Sequence, residues 1–280
     1  MSLLKKHDFG VVQAYQMGYS LLGNEPLLTV YSYYIDGLLI DTGSRHLYNR
    51  FVKALASHKI EQLAVTHYHE DHSGNAEALR LLYNVPLHMG TETGVRASQK
   101  LFMKPYQRWN FGQIIPIKQF TPFTETLETN RYRFELMHTP GHSADHYALY
   151  ERNEGWLFSG DLYIGNIKFT REEENLPEML ASLKRMQALD FDALFCAHNP
   201  RITAGKQALT HKINYLEDFI GQVNTFHAQG FNTKQIRYAM GKREMYFLKI
   251  LTFNDTGIDF MIQAALKNVQ PLSEAHLRLG

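Results

Sequence analysis

The chain has 280 residues, of which 44% are hydrophobic and 20% are charged, a composition typical of globular proteins. Lysine and arginine together number 29 against 28 aspartate and glutamate residues, which gives a net charge of +1. Such a balance provides no strong field for attracting nucleic acid or an anionic membrane. We therefore expect a small-molecule substrate, and neither nucleic acid nor a membrane as a partner.

The chain contains one cysteine, Cys196, so an internal disulfide framework is excluded. The first residues lack the uninterrupted apolar core and the cleavage site of a signal peptide. No apolar run approaches the ~20 residues that a transmembrane helix needs. These features together predict a cytoplasmic protein.

Early segments rich in β-branched and aromatic residues predict antiparallel strands joined by tight turns, over GVVQAYQM, LLTVYSYYID and GLLIDTGS. The next segment has helical spacing, with Leu47, Phe51 and Leu55 on one face. IEQLAVTHYH then predicts a short strand that ends at histidines. A helix over NAEALRLLYN and a strand over VPLHMG follow.

Residues 92–114 predict a helix followed by an irregular loop rich in aromatic and basic side chains. RYRFELMHTPGHSADHYALY predicts strand, loop and strand, while GWLFSGD and FDALFCAHN each predict a strand. LPEMLASLKRMQAL between them predicts a helix, with Pro177 near its start. The pattern of residues 205–270 is mostly helical. We therefore predict an α+β fold, with mostly antiparallel sheets flanked by helices in residues 1–204 and a helical region in residues 205–280.

The segment HYHEDH, residues 67–72, contains three histidines and two carboxylates directly after an apolar run. A loop after a strand end can direct several side chains inward. Imidazole and carboxylate groups at His67, His69, Asp71 and His72 suit divalent ions such as zinc, iron and manganese. Four ligands in six residues are hard to direct at a single ion, so the spacing favours two neighbouring ions. Taken alone, the segment is also compatible with a histidine-rich surface loop.

Three later strand ends each carry another candidate ligand: His142 in HTPGHSADH, Asp161 in LFSGDLY and His198 in LFCAHNP. By itself, His198 is compatible with a core histidine and Asp161 with a turn residue. Their repeated position at the ends of apolar strands favours a shared site.

The order H-x-H-x-D-H, T-P-G-H-S, S-G-D and a final histidine at a strand end resembles the metallo-β-lactamase-fold hydrolase superfamily. The match covers about residues 10–205. The resemblance implies a four-layer αββα sandwich with a C-terminal helical appendage. It also implies that Asp41 in LLIDTGS is a buried structural partner near the site and not a metal ligand.

The resemblance further implies a site for two divalent ions. Zinc is the expected ion in both positions, and iron and manganese are the alternatives. The implied ligands are His67, His69 and His142 for one ion, Asp71, His72 and His198 for the other, and Asp161 as the bridge. A metal-bridging hydroxide would attack the substrate, and Asp71 would both bind metal and orient this nucleophile. No serine or cysteine nucleophile is needed, and Cys196 is expected to be a small buried side chain.

The resemblance extends to the glyoxalase II-like and small endoribonuclease-like branch. Only 36 residues separate Asp161 from His198, too few for the large insert of the nucleases that process messenger RNA. His69 stands where oxygen-reducing diiron relatives have a carboxylate. The implied activity is hydrolysis of a thioester, lactone or related ester. A phosphodiesterase or ribonuclease of the same fold and a non-catalytic metal-containing binding protein are the alternatives.

Two further residues are candidates for substrate binding. Trp109, in KLFMKPYQRWNFG, belongs either to an aromatic wall for an apolar acyl chain or to the contact of a homodimer. Tyr163 follows Asp161 by two residues and is the weaker candidate, because a core tyrosine is the more common outcome.

Overall fold

The computed structural model describes residues 2–20, 25–26, 28–100 and 102–268, which form two compact units. Residues up to 138, 145–164 and 190–205 make the first unit, and residues 139–144, 165–189 and those from 206 onward make the second. The domain boundary after residue 204 stays a prediction. The end of the predicted helical region, 269–280, lies outside the described residues, as do parts of the predicted early turn and of the loop after residue 100.

A mixed seven-stranded sheet organises the first unit, and its strands lie side by side in chain order. The first four strands pair antiparallel, and the last four pair parallel. Helices occupy the connections between the parallel strands, because such crossovers are long. The strands are β1 (Ser2–Phe9), β2 (Val12–Tyr19), β3 (Val30–Ile35), β4 (Leu38–Ile40), β5 (Gln62–Val65), β6 (Leu87–Met89) and β7 (Thr121–Pro122). The helices are α1 (Tyr48–Leu55), α2 (Glu70–Ser73), α3 (Ala76–Tyr83), α4 (Thr91–Ser98) and α5 (Pro105–Phe111).

A second sheet of five strands completes the first unit. Four of its strands form an antiparallel meander, and the fifth pairs parallel to the last strand of the meander. The meander consists of β8 (Thr126–Glu128), β9 (Arg133–His138), β10 (Tyr147–Glu151) and β11 (Trp156–Gly160), and the parallel strand is β13 (Ala193–Cys196).

The middle strands of the first sheet are buried on both faces. Leu39 and Leu63, in β4 and β5, belong to the hydrophobic cluster that includes residues of α1 and α3. Their neighbours Ile40 and Ala64 belong to a different cluster, which includes Phe158 of β11. Successive strand residues point to opposite faces, so the apolar runs LLI and QLAV fill both the helix-side core and the core between the two sheets.

The second unit is mainly helical. Its helices are α6 (Leu176–Gln187), α7 (Gly205–Ala228), α8 (Thr233–Ala239), α9 (Tyr246–Leu251) and α10 (Ile258–Leu266), and β12 (Thr170–Arg171) pairs antiparallel with β14 (Thr256–Gly257). The side chain of Asn175 caps α6 by accepting from the backbone N–H of Glu178 at 3.2 Å. None of the described helices combines the length and the hydropathy that a membrane crossing requires.

The segment after α4 differs from its prediction. The sequence predicts an irregular loop there, and this prediction is wrong, because Pro105–Phe111 forms the helix α5. Pro105 lies in its first turn, and the backbone N–H of Lys104 donates to Oε1 of Gln107 at 2.6 Å. Proline at a helix start with glutamine two residues later is a sequence signal for a helix.

Candidate metal centre

Three strand ends of the first unit carry the candidate ligands. β5 ends at Val65, and the histidine-rich segment follows it and enters the one-turn helix α2. Asp161 directly follows β11, and His198 lies two residues after β13. Because β11 and β13 are neighbouring parallel strands, their carboxyl ends lie at the same edge of the second sheet.

The first group of ligands consists of His67, His69 and Asp161. Each side chain is buried, and each offers one ligand atom within 4.8 Å of the others. Nε2 of His67 lies 2.9 Å from Nδ1 of His69, so two imidazole nitrogens face each other across a short gap.

The second group consists of Asp71, His72 and His198, whose ligand atoms also lie within 4.8 Å of one another. Nε2 of His198 lies 3.5 Å from Oδ2 of Asp71, and Nε2 of His72 lies 3.9 Å from Oδ1 of the same carboxylate. Two nitrogens and one carboxylate therefore converge on one point.

Asp161 also contacts the second group. Its Oδ1 lies 3.3 Å from Nε2 of His72, and its Oδ2 lies 3.2 Å from Nε2 of His198. This single carboxylate thus lies among the nitrogens of both groups. A carboxylate with two oxygens can serve two cations, and two-metal sites typically space their ions by about 3.5–4 Å.

Asp41 supports His72 from behind. Its backbone has a left-handed φ of 57°, and its side chain is buried. Oδ2 of Asp41 lies 2.7 Å from Nδ1 of His72, and Oδ1 accepts from the backbone N–H of Thr66 at 2.9 Å. An Nδ1–H donated to Asp41 leaves the Nε2 lone pair of His72 directed at the candidate ligands.

His67 and His198 have the same arrangement. Nδ1 of His67 lies 3.1 Å from the Thr66 hydroxyl, and Nδ1 of His198 lies 2.6 Å from the carbonyl oxygen of Thr29. Each Nδ1 has a protein partner, so Nε2 is the ring nitrogen that faces the other candidate ligands.

The charges of the imidazoles differ within the site. Burial, followed by the neighbouring His72 and His69, lowers the pKa of His67 well below its usual range, so His67 is neutral. Burial also lowers the pKa of His72, but the carboxylates of Asp161 and Asp41 outweigh it and raise that pKa well above its usual range. Without a metal ion, a proton on His72 therefore takes the place of a cation.

Burial and neighbouring charges also act in opposite directions on the pKa values of His198 and Asp161. Burial lowers the pKa of His198, but the Asp161 carboxylate outweighs it and raises that pKa to about 9. Burial raises the pKa of Asp161, but the charges of His198 and His72 hold it well below its usual value. Asp161 is ionised, and the charged histidines beside it supply the positive charge that this buried carboxylate requires.

These residues fit a pair of divalent ions. The donor set consists of imidazole nitrogens and carboxylate oxygens, which zinc, iron and manganese all accept. Nε2 of His72 is fully buried and makes no hydrogen bond with the residues that the structure describes. A buried polar atom of this kind normally has a partner, and a metal ion next to Asp161 and Asp71 provides one.

His142, Tyr163, Trp109 and Cys196 are the other residues that the sequence analysis singled out. His142 belongs to the second unit, where it is buried and its Nδ1 lies 3.7 Å from Oε2 of Glu174; its role as a ligand stays a prediction. Tyr163 is buried, with 4% of its surface exposed, and Trp109 is 48% exposed. The substrate-binding roles of both residues stay predictions.

Cys196 is fully buried, as expected for a small side chain in an apolar strand. Its S–H donates to the carbonyl of Tyr163, and burial raises its pKa to about 12.

The sequence reasoning missed a small cleft of about 10 Å³ beside Asp71. Its lining is largely apolar and includes Met17, Tyr19, Val30 and Phe111. Phe111 belongs to α5, whose start signal was readable in the sequence, whereas nothing in the strand patterns of β2 and β3 indicates that their ends border a site.

A family model described as the Metallo-beta-lactamase superfamily matches residues 26–198. A Caenorhabditis elegans protein described as a beta-lactamase-like protein 2 homolog is 25% identical over 173 residues, which are 59% of this chain and 52% of that protein. A Bdellovibrio bacteriovorus protein described as a hydroxyacylglutathione hydrolase is 27% identical over 147 residues, which are 51% of this chain and 52% of that protein.

A solved structure, a beta-lactamase domain protein from Burkholderia ambifaria, is similar to this chain with a TM-score of 0.62 and 18% identity, over 95% of this chain and 85% of that one. This likeness confirms the predicted metallo-β-lactamase fold. The chain spans about half the length of the two relatives named above. The matching family model covers more than half of the chain, so this protein belongs to the metallo-beta-lactamase superfamily.

Proposed function

We propose that the chain is a metal-dependent hydrolase with two divalent ions, zinc in both sites, that acts on a thioester, lactone or related ester. The observation that carries the proposal is the position of Asp161, with one oxygen near His72, the other near His198, and ligand atoms of the first group within 4.8 Å. One buried carboxylate between two sets of nitrogens suits a pair of cations. We propose His142 as a further ligand of the first ion, on the basis of the T-P-G-H-S motif.

When bound, the ions lower the pKa of water and polarise the oxygen of the bond that is cleaved. The residues of the chain then have separate tasks. The Nδ1 contacts of His72 and His198 fix which ring nitrogen faces the ions. Asp71 borders the cleft and lies 3.5 Å from His198, so its carboxylate can orient the attacking water and hold its proton at Oδ2.

The residues around Asp71 favour an ester that carries an apolar group. Met17, Tyr19 and Phe111 provide apolar surface next to Asp71, and Asn110 and Ser44 add polar groups. The relative described as a hydroxyacylglutathione hydrolase supports the same class of substrate for this chain.

The test is a panel of thioesters, lactones and phosphodiesters, assayed before and after chelation, together with the metal content. We expect two bound metals and ester turnover that chelation abolishes and zinc restores. Asp71→Asn should lower kcat by about 100-fold, because it removes a group that handles a proton. The exposed Asp218→Asn is the matched control.

Other outcomes separate the alternatives. Turnover confined to phosphodiesters would replace the ester proposal with a phosphodiesterase of the same fold. Two bound metals without turnover of any substrate would favour a metal-containing binding protein.

A further inference from the structure

Glu70 lies between two candidate ligands, His69 and Asp71, and its own side chain does not belong to either ligand group. It is nevertheless buried, with 5% of its surface exposed. Its Oε1 accepts a hydrogen bond from Nε2 of Gln107, which is itself buried. Burial of a carboxylate is unfavourable without polar partners, and this contact provides one of them.

Gln107 has a second contact that fixes its side chain. Its Oε1 accepts from the backbone N–H of Lys104 at 2.6 Å, which closes the start of α5. The end of the same helix is held by the Ser44 hydroxyl, which donates to the carbonyl oxygen of Phe111 at 3.1 Å. The amide of Gln107 is therefore held at both ends, with its oxygen on α5 and its NH₂ group directed at Glu70.

The helix α2 has a single turn, Glu70–Ser73, and contains both Asp71 and His72. A single turn is not stable by itself, because helix nucleation is unfavourable. Its direction depends on outside contacts, and the Gln107 amide provides one at its first residue. We propose that Gln107, by its hydrogen bond to Glu70, is a positioning residue that helps to direct Asp71 and His72 toward the second metal ion.

This inference rests on the proposed metal centre, and its test uses the metal itself as the probe. Gln107→Glu is the sharpest variant, because a carboxylate still accepts from the Lys104 N–H but cannot donate to Glu70. We expect the dissociation constant for one of two Co²⁺ ions to rise by about tenfold, as is typical when an outer partner of a ligand is lost. The visible absorption of the cobalt protein should change with it. The exposed Gln113→Glu is the matched control and should leave both unchanged.

The double variant Glu70→Gln with Gln107→Glu exchanges donor and acceptor. The amide at position 70 then donates to the carboxylate at position 107, and we expect cobalt affinity and spectrum to return to those of the parent protein. Rescue would show that the hydrogen bond itself, and not the shape of the side chain, positions the ligands. If Gln107→Glu binds cobalt like the control, or if the exchange restores nothing, the inference is wrong.

Kinetics distinguish this inference from the proposed function. On an ester that the parent protein hydrolyses, Gln107→Glu should lower kcat and leave KM unchanged, because the cleft is intact. If the parent protein hydrolyses nothing, the proposed function fails, and the cobalt titration still decides the role of Gln107.

Discussion

Asp41 illustrates how a single residue determines the chemistry of a ligand. Its left-handed backbone brings the carboxylate under both Thr66 and His72, with 2.7 Å between Oδ2 and Nδ1 of His72. The sequence resemblance gave Asp41 a structural role near the site, and this geometry supports that role. The contact joins residues that are 31 positions apart, so no local pattern in the sequence reveals it.

Asp41→Asn should weaken metal binding by about 10- to 100-fold, because the amide no longer offers two acceptor oxygens and His72 loses its preferred tautomer. Asparagine tolerates the left-handed backbone at this position. Competition with a metal indicator measures the change in the dissociation constant. An affinity equal to that of Asp218→Asn would contradict the role given to Asp41.

The pKa of His198 predicts a pH dependence for the metal-free chain. Its folded value of about 9 lies above the ~6.5 of an unfolded histidine. The stabilisation is fully present below pH ~6.5 and is lost as the pH rises through about 9. The raised pKa of His72 acts in the same direction.

We therefore expect the chelated protein to have a lower free energy of unfolding at pH 9.5 than at pH 7, measured in urea. His198→Gln should reduce this difference, because the neutral amide does not titrate. Equal stability of the chelated protein at both pH values would contradict the charge assignment at His198.

At the scale of elements, α9 is unusual because none of its residues is buried. Phe247 and Ile250 are 81% and 78% exposed. Glu244 holds this helix at its start, since its carboxylate accepts from the backbone N–H of Met245 at 3.0 Å and from that of Ile258 at 3.2 Å.

Glu244 also forms ion pairs with Arg237 at 3.5 Å and Lys249 at 3.3 Å, and only 1% of its side chain is exposed. Glu244→Ala should lower the free energy of unfolding by about 3 kcal/mol, because it leaves a buried arginine without this partner. Urea unfolding measures the change. Glu217→Ala, which removes an exposed ion pair with Lys184, should cost less than ~1 kcal/mol. Equal losses for the two variants would contradict this account.

The elements differ in how far the sequence predicted them. The predicted helix is present as a 3-10 turn that ends at Leu47, followed by α1 with Phe51 and Leu55, and all three side chains are fully buried, because helical periodicity is local. No element was predicted for the strand β1, since its pattern SLLKKHDF has weak alternation and its pairing with β2 decides its structure. The helix α5 was missed although its start signal was present.

At the scale of the whole molecule, the candidate ligands join segments far apart in sequence. The strand ends after β5, β11 and β13 contribute to the same centre. That these ends carry ligands was predictable, because each ligand follows an apolar strand. Which ligands share an ion came from the family resemblance. The bond between Glu70 and Gln107 was not predictable, because it depends on how α5 packs.

Removal of the metals should destabilise the fold. Saturation at about 1,000 times the dissociation constant stabilises a protein by about 4 kcal/mol, which corresponds to roughly 10 °C in Tm for a chain of this size. We expect chelation to lower the melting temperature by that amount, as measured by calorimetry, and zinc to restore it. The melting temperature of Asp161→Ala should rise little when zinc is added. If chelation leaves the melting temperature of the parent protein unchanged, this would contradict a metal centre that links these strands.

The two sheets of the first unit have a further consequence. β5 belongs to one sheet, β11 and β13 belong to the other, and a single hydrophobic cluster with Phe158 and Ala64 fills the space between them. A cation held by ligands from both sheets would join the ends of β5, β11 and β13, and separation of the sheets would break its coordination. The metal-loaded chain should therefore unfold more slowly in urea than the chelated chain.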